Sequence, residues 1–379
     1  MKKKMPFEME EINKRNKLFS RKTSYKIKVI GVGGAGNNAI QRMIKKGIDD
    51  VELIAANTDV QVLENNDAPT KIQLGKELTK GLGAGGDPEI GKKSALESQD
   101  DLKETLKDTD LLFITAGLGG GTGTGAVPII ADLATQMGIL TVAIVTLPFH
   151  FEGSTKERIA LKGFQETKKY VDSLIKISND KLIDNDDDIP IDKAFEKADE
   201  ILIQAITGIS DLITKPGMIN LDFADVASVL RIKGSAMLGI GLAKGEKRAE
   251  EAIKNALNSK ILEDPVRNAT AALVNIAGKT PTTQDVKIVN EILRSYAIDD
   301  ARLKMGITII DLPPEVIKVT VIASGYDKLP GEENYLDLYE QPALYRQFGK
   351  GVVAEEISRL NKYLQDHVEE IPGEEVQQQ

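Results

Sequence analysis

The chain has no cysteine, no tryptophan and only two histidines, His150 and His367, in 379 residues. Without cysteine there are no disulfides and no thiolate metal sites, and two histidines leave little room for an imidazole-held metal. Aromatic residues make up 4% of the chain, too few for the stacking platforms that hold single-stranded nucleic acid. The formal net charge is −9 and no long Lys/Arg block offsets it, so binding to nucleic acid by counterion release is disfavoured. No segment approaches the roughly 20 uninterrupted apolar residues of a membrane-spanning helix. The start, Met1-Lys-Lys-Lys-Met-Pro-Phe-Glu, lacks the apolar run of a secretory signal. The expectation is a cytoplasmic protein with no nucleic-acid partner and no direct membrane insertion.

Glycine, by contrast, is plentiful and clustered. The run Gly117-Leu-Gly-Gly-Gly-Thr-Gly-Thr-Gly125 follows an apolar stretch, 110–116, and leads into Pro128-Ile-Ile-Ala-Asp-Leu-Ala. A loop with so few side chains lets successive backbone N–H groups converge on an anion. A helix following it adds the positive end of its dipole, and the threonines add hydroxyls. Such a run is a phosphate cradle.

Around it, apolar strands and amphipathic helices alternate. Strands are expected at 25–31, 51–57, 110–116, 139–147 and 173–177, with helices over 38–46, 89–107, 127–137 and 155–170. This order predicts a parallel, Rossmann-like α/β sheet with helices on both faces. A long helix over 190–214 carries Ile201, Leu202, Ala205, Ile206, Ile209, Leu212 and Ile213 at three- and four-residue spacing, and Pro216-Gly217 ends it. The pattern then restarts with strands near 236–243, 271–277, 304–310 and 315–323 and helices over 247–258 and 283–296. The expected organisation is therefore a polar N-terminal extension (1–24), a nucleotide-binding domain (25–189), a central helix and following loop (190–230), and a smaller α/β C-terminal domain (231–326). An acidic tail (327–379) with a helix over 352–367 completes it.

Three glycine loops, 31–38, 81–86 and 117–125, follow positions where strands end, so a parallel sheet brings them to one crevice. The first fits G-x-G-x-x-G through Gly31, Gly33 and Gly36, with Asp59 near the next strand end. Taken singly, that match indicates an NAD-dependent oxidoreductase or merely a tight turn. Three cradles suit a di- or triphosphate better. No G-x-x-x-x-G-K-[ST] occurs, so backbone dipoles and a cation, most simply Mg²⁺, must hold the phosphates; no metal ligand is assigned.

The loop Gly119–Gly125 resembles the signature of the tubulin/FtsZ family of GTPases. The FtsZ branch is matched in order by Gly31–Asn38, Ala56-Asn-Thr-Asp59, Leu78–Pro88, Pro148-Phe-His-Phe-Glu-Gly153, Ser178-Asn-Asp-Lys-Leu182, Ala194–Asp199 and Asn220-Leu-Asp-Phe-Ala-Asp225. The spelling is similar to archaeal members of the second type. The resemblance implies GTP/GDP as ligand, with phosphate contacts from Gly33, Gly34, Ala35, Gly36, Asn37 and the stretch Gly119, Gly120, Gly121, Thr122, Gly123, Thr124, Gly125. It places Ala84, Gly85 and Gly86 by the γ-phosphate and Glu152 at the ribose. Asn38, Asn179 and Asp199 would read the guanine edge, and Phe195 would stack on its face. Bacterial relatives carry an arginine three residues past the Phe-Glu-Gly glycine; here Arg158 lies two residues further on. His150, between two phenylalanines, is expected to be a packing residue.

Asp222 and Asp225 on their own would pass for dipole complements at a helix start. In the family this loop lies on the face opposite the nucleotide and completes the site of the next subunit. The resemblance thus implies that Asp222, Asp225 and Asn220 polarise and orient the attacking water, and that the chain forms head-to-tail filaments with itself at the site of cell division. Membrane-anchoring and regulatory partners are implied but unidentified, and Ile371-Pro-Gly-Glu-Glu does not spell the bacterial tether-docking peptide. A filament-forming GTP binder that does not hydrolyse is the remaining alternative.

Overall fold

The computed structural model describes residues 25–48, 50–183, 189–215, 217–219, 221–232, 235–259, 269–296 and 302–326. All belong to the first of two compact units, Met1–Pro330. The N-terminal extension, Asn220 and the tail with its expected helix lie outside the described residues.

Among the described residues, strands β1 (Ile27–Val32), β2 (Glu52–Asn57), β3 (Thr70–Gln73), β4 (Leu111–Gly117), β5 (Leu140–Leu147) and β6 (Ser173–Ser178) pair in parallel in the order β3-β2-β1-β4-β5-β6. The order reverses between β1 and β4, and such a switch point opens a crevice at the carboxyl edge of the sheet. Strands β7 (Gly217–Ile219), β8 (Ser235–Lys244), β9 (Ala271–Gly278), β10 (Arg302–Ile309) and β11 (Val316–Tyr326) continue the same sheet as β6-β8-β11-β9-β10-β7. The seam is short: β6 meets β8 through Leu174–Ser235 and Ile175–Ala236. Beyond it the pairing is mixed, with β11 antiparallel to both β8 and β9 and β10 antiparallel to β7.

Strand alternation sends side chains to both faces, and helices cover each. Ile27 and Val29 of β1 pack with Ala39, Ile40 and Met43 of α1 (Gly33–Lys45). Ile30 and Val32 face the opposite way, towards a layer formed by α4 (Pro88–Glu97), α5 (Gln99–Leu106), α6 (Gly121–Gln136) and α7 (Ser154–Lys168). Two short helices missed by the expected pattern, α2 (Val60–Glu64) and α3 (Lys76–Thr79), flank β3. The central helix α8 (Ile191–Thr214) buries Leu202, Ile203, Ala205, Ile206, Ile209 and Leu212 in the same layer as α1. After β7 comes α9 (Phe223–Leu230), where the sequence placed a helix start, while α10 (Arg248–Leu257) and α11 (Thr283–Tyr296) cover the far half of the sheet.

Both helices that follow the main glycine loops start earlier than periodicity suggested, at Gly33 instead of Asn38 and at Gly121 instead of 127. Glycine has low helix propensity, but here packing overrides it because the backbones come too close for a Cβ. A Cβ on Gly36 would lie 2.5 Å from the Thr115 carbonyl oxygen, and one on Gly125 only 2.0 Å from the Pro88 carbonyl oxygen and 2.6 Å from the Lys92 nitrogen. These two glycines, counted above with the phosphate contacts, act as close-packing positions of α1 and α6.

Gly125→Ala, which in an open helix would stabilise, should therefore lower unfolding free energy by about 3 kcal/mol through overpacking. Gly120→Ala, with nothing within 4 Å of its Cβ position, should leave the urea midpoint unchanged. Equal midpoints for the two variants would contradict this packing account.

Candidate functional site

A crevice of about 290 Å³ opens at the switch point, lined by the ends of β1, β4, β5 and β6 and by the start of α8. Its floor is two helix N-termini. α1 opens with Gly33, Gly34 and Ala35, and α6 with Gly121, Thr122 and Gly123; all six line the crevice. Neither helix has a side-chain cap, so the first-turn N–H groups have no intrahelical acceptor. Elsewhere Asp59 and Asp87 cap α2 and α4. Two bare N-termini converging on one cavity make an anion site.

The loops are locked to each other. A Cβ on Gly33 would lie 3.0 Å from the Gly123 nitrogen, and one on Gly121 2.8 Å from the Ala84 Cβ. The Thr58 and Thr122 hydroxyls are 2.7 Å apart, and Gly119 N–H donates to the Thr124 hydroxyl at 2.9 Å. Gly34 and Gly120 have nothing within 4 Å of their Cβ positions, so the space over them is available to a ligand.

Gly119 and Gly120 also line the crevice, but Gly36, Asn37, Asn38, Thr124 and Gly125 do not. Asn37 is saturated: its amide donates to the Gly31 and Ala56 carbonyls at 2.7 and 3.2 Å and accepts from Asn57 at 3.0 Å. It ties the first loop to β2. Asn38 is exposed one position further along α1. Ala84, Gly85 and Gly86 lie outside the lining; Gly85 and Gly86 adopt φ of +58° and +80°, which any other residue would resist. Asp59 Oδ1 accepts from the N–H groups of Gln61 and Val62, the work of a helix cap for α2.

At the far end the crevice turns polar and aromatic. Phe195, 40% exposed, stands edge-on to Phe149 with centroids 5.2 Å apart, leaving a ring face for stacking. Asn179 is buried and its Oδ1 has no hydrogen-bond partner, a cost that a ligand donor would relieve. Asp199, 6% exposed, is pushed up to about 6 by burial, against the opposing pull of Arg42. The Arg42 Nε lies 2.9 Å from its Oδ2, and Glu196 lies 3.7 Å from the same guanidinium. Arg42 was not anticipated, although its spacing from Asn38, one helical turn, offered a signal.

Glu152 lines the crevice with both oxygens engaged, Oε1 by Phe149 N–H at 2.9 Å and Oε2 by the Lys156 ammonium at 3.0 Å. Lys156, not Arg158, lines the crevice; Arg158 is exposed outside it. The four-residue spacing of Glu152 and Lys156 was the available clue. His150 is not a packing residue: its side chain is 86% exposed, and Phe149 fills the buried position.

Asp222 and Asp225 lie on none of the crevice walls. Asp222 caps α9 by accepting from Asp225 N–H at 2.7 Å. Asp225 forms an ion pair with Lys304 of β10 at 2.7 Å, which holds its carboxyl below the usual range. Among the described residues no group of three or more acids or histidines could hold a metal ion, and no helix is long and apolar enough to cross a membrane.

Residues 26–187 match the GTPase domain of the tubulin/FtsZ family, and residues 234–327 match the FtsZ family C-terminal domain. A solved single-residue mutant of FtsZ from M. jannaschii is 41% identical, covering 85% of this chain and 98% of that one, with a TM-score of 0.78. The same organism's FtsZ, solved as an empty dimer, is 40% identical over 86% of this chain and 96% of that one, TM-score 0.77. CetZ2 from Haloferax volcanii, solved as a GTPγS-bound protofilament, shares the fold at 22% identity, covering 83% of this chain and 100% of that one, TM-score 0.70.

Because the Asp199 carboxyl is raised in the folded protein, its contribution to stability is full below the unfolded value of 3.8 and lost as pH rises through about 6. In the ligand-free protein, stability of the wild type relative to Asp199→Asn should therefore fall between pH 4 and 7, by an amount on the order of 2 kcal/mol. Urea unfolding at several pH values measures it; a flat difference would contradict the burial of this charge.

Proposed function

The chain belongs to the tubulin/FtsZ family, and from that premise we propose a GTPase that assembles head to tail and hydrolyses GTP at the joint between subunits. The observation that carries this reading is the separation of the crevice from the acids by the length of α8. Asp199 and Phe195 lie in its first turns, and the acid loop follows its far end. From Asp199 to Thr214 the axis advances about 22 Å. Acids so placed serve a neighbour's crevice more readily than their own.

In the assembled joint, the N–H groups of Gly34, Ala35 and Gly121–Gly123 bind the phosphates, with Ala84–Gly86 closing over the terminal one. The ionised Asp199 accepts from guanine N1–H and the 2-amino group, an arrangement that adenine's acceptor N1 cannot satisfy. Asn179 and Asn38 complete the edge, Phe195 stacks on the base and Glu152 takes the ribose. Asp222 and Asp225 of the adjoining molecule, with Asn220, orient and polarise the water for in-line attack. A divalent cation such as Mg²⁺ brought in with the triphosphate would neutralise charge on the phosphates; no described residue is assigned to hold it.

Exposed apolar side chains suit both ends of such a joint. Leu82 is 86% and Phe151 60% exposed in the loops beside the crevice, while Met218 and Ile219 of β7 are 72% and 50% exposed beside the acid loop. A heterologous contact whose rotation does not close on itself generates filaments, the outcome we infer for this surface. Cell division in the cytoplasm, with separate anchoring and regulatory proteins, is the role we infer from the FtsZ relatives.

GTPase activity per subunit should rise above a threshold protein concentration; proportional activity from dilute solution upward would refute hydrolysis at a joint. Asp225→Ala should keep GTP binding and filaments while turnover falls by about 10²–10³. Loss of GTP binding in that variant would place the acid in its own subunit's crevice.

A further inference from the structure

The loop carrying the two acids is fastened to β10 at three successive levels. β7 pairs with it through Gly217–Thr308 and Ile219–Ile307. Leu221, 7% exposed, packs over Gly306, where a Cβ would lie 2.8 Å from its Cδ1. Lys304 then pairs with Asp225 at 2.7 Å. Residues 304, 306 and 308 share one face of the strand, so the lysine extends a single seam from β7 to the first turn of α9.

The geometry points to Lys304 as a positioning residue of the hydrolytic reaction: it fixes Asp225 and brings a positive charge to the neighbour's phosphates alongside the two acids. This rests on hydrolysis at the joint between subunits. Docking Asp222 and Asp225 onto a bound triphosphate opposes charges of like sign. Among the described residues lining the crevice, Lys156 is the sole cation, and it is already paired with Glu152. Lys304 is 44% exposed along its side chain, and both acids act on its ammonium, Asp225 foremost. The charged groups acting on Asp225 are Lys304 from β10 and Asp222 from its own turn. The ammonium can bridge the acids without leaving the surface that meets the next molecule. A charge-assisted hydrogen bond of this type also restricts the rotamer freedom of the carboxylate.

The test measures turnover per polymerised subunit and assembly threshold separately, for wild type, Lys304→Met and Lys304→Arg, with GDP affinity as a control for the crevice. The expected result is a loss of about tenfold in turnover per polymerised subunit for Lys304→Met, unchanged GDP affinity, and recovery of most of the loss in Lys304→Arg. A Lys304→Met filament that turns over at the wild-type rate or faster overturns the assignment, as does Lys304→Arg performing no better than Lys304→Met. Wild-type activity with no threshold in the same dilution series sinks the parent reading instead, so the two failures are distinguishable.

Discussion

No Cβ fits at Gly31, Gly36, Gly121, Gly123 or Gly125, and the architecture around the crevice follows from that exclusion. Gly31 and Gly36 let α1 lie against β1 and β4, and Gly121, Gly123 and Gly125 let α6 pass between the first loop and α4. Close approach puts two helix N-termini side by side with their first N–H groups uncapped. Each end carries a partial positive charge, and both face the same space. A Cβ at the packing glycines would push the helices apart and dissolve the anion site before touching any ligand.

The rest of the crevice stores cost in the ligand-free state. Asp199 is buried with only Arg42 to oppose its desolvation, and the Asn179 amide oxygen has no partner. Both costs fall at the end where a base carrying two N–H donors would sit, so binding relieves them. Glu152 and Lys156 form a neutral pair on the crevice wall. In the proposed GTP site, specificity and affinity would thus come from different parts of the cavity: buried polar groups would discriminate, and backbone dipoles would hold charge.

Much of this was legible in the sequence. Strand and helix alternation predicted the parallel half of the sheet, and the glycine runs located the crevice, because both signals are local. What was missed depends on contacts distant along the chain. Helix starts at Gly33 and Gly121 contradict propensity and are imposed by packing. The three residues of β7 form a strand only because β10 is beside them. The resemblance counts Gly36, Asn37 and Gly125 among the phosphate contacts, and hydrogen-bond saturation and steric closeness give them structural work that the motifs do not spell. Arg42, Lys156 and Lys304 each pair with a residue that the motifs did identify, but motif spelling carries no information about the partner. Arg42 is the extreme case, 157 positions from Asp199 in sequence and hydrogen-bonded in space; Lys304 and Asp225 pair across 79 positions.

In the proposed joint the central helix links the two halves of the site, since its first turns line the crevice and the acid loop follows its far end. If each active site is shared, two inactive variants must rescue each other. Asp225→Ala, with an intact crevice, can be mixed with a crevice variant such as Asp199→Ala that keeps its acids, pelleting establishing that both enter the same filaments. An equimolar mixture should recover about a quarter of wild-type GTPase activity, the fraction of joints in a random head-to-tail polymer that pair a good crevice with good acids. Co-assembled filaments that stay inactive at every mixing ratio would contradict the account.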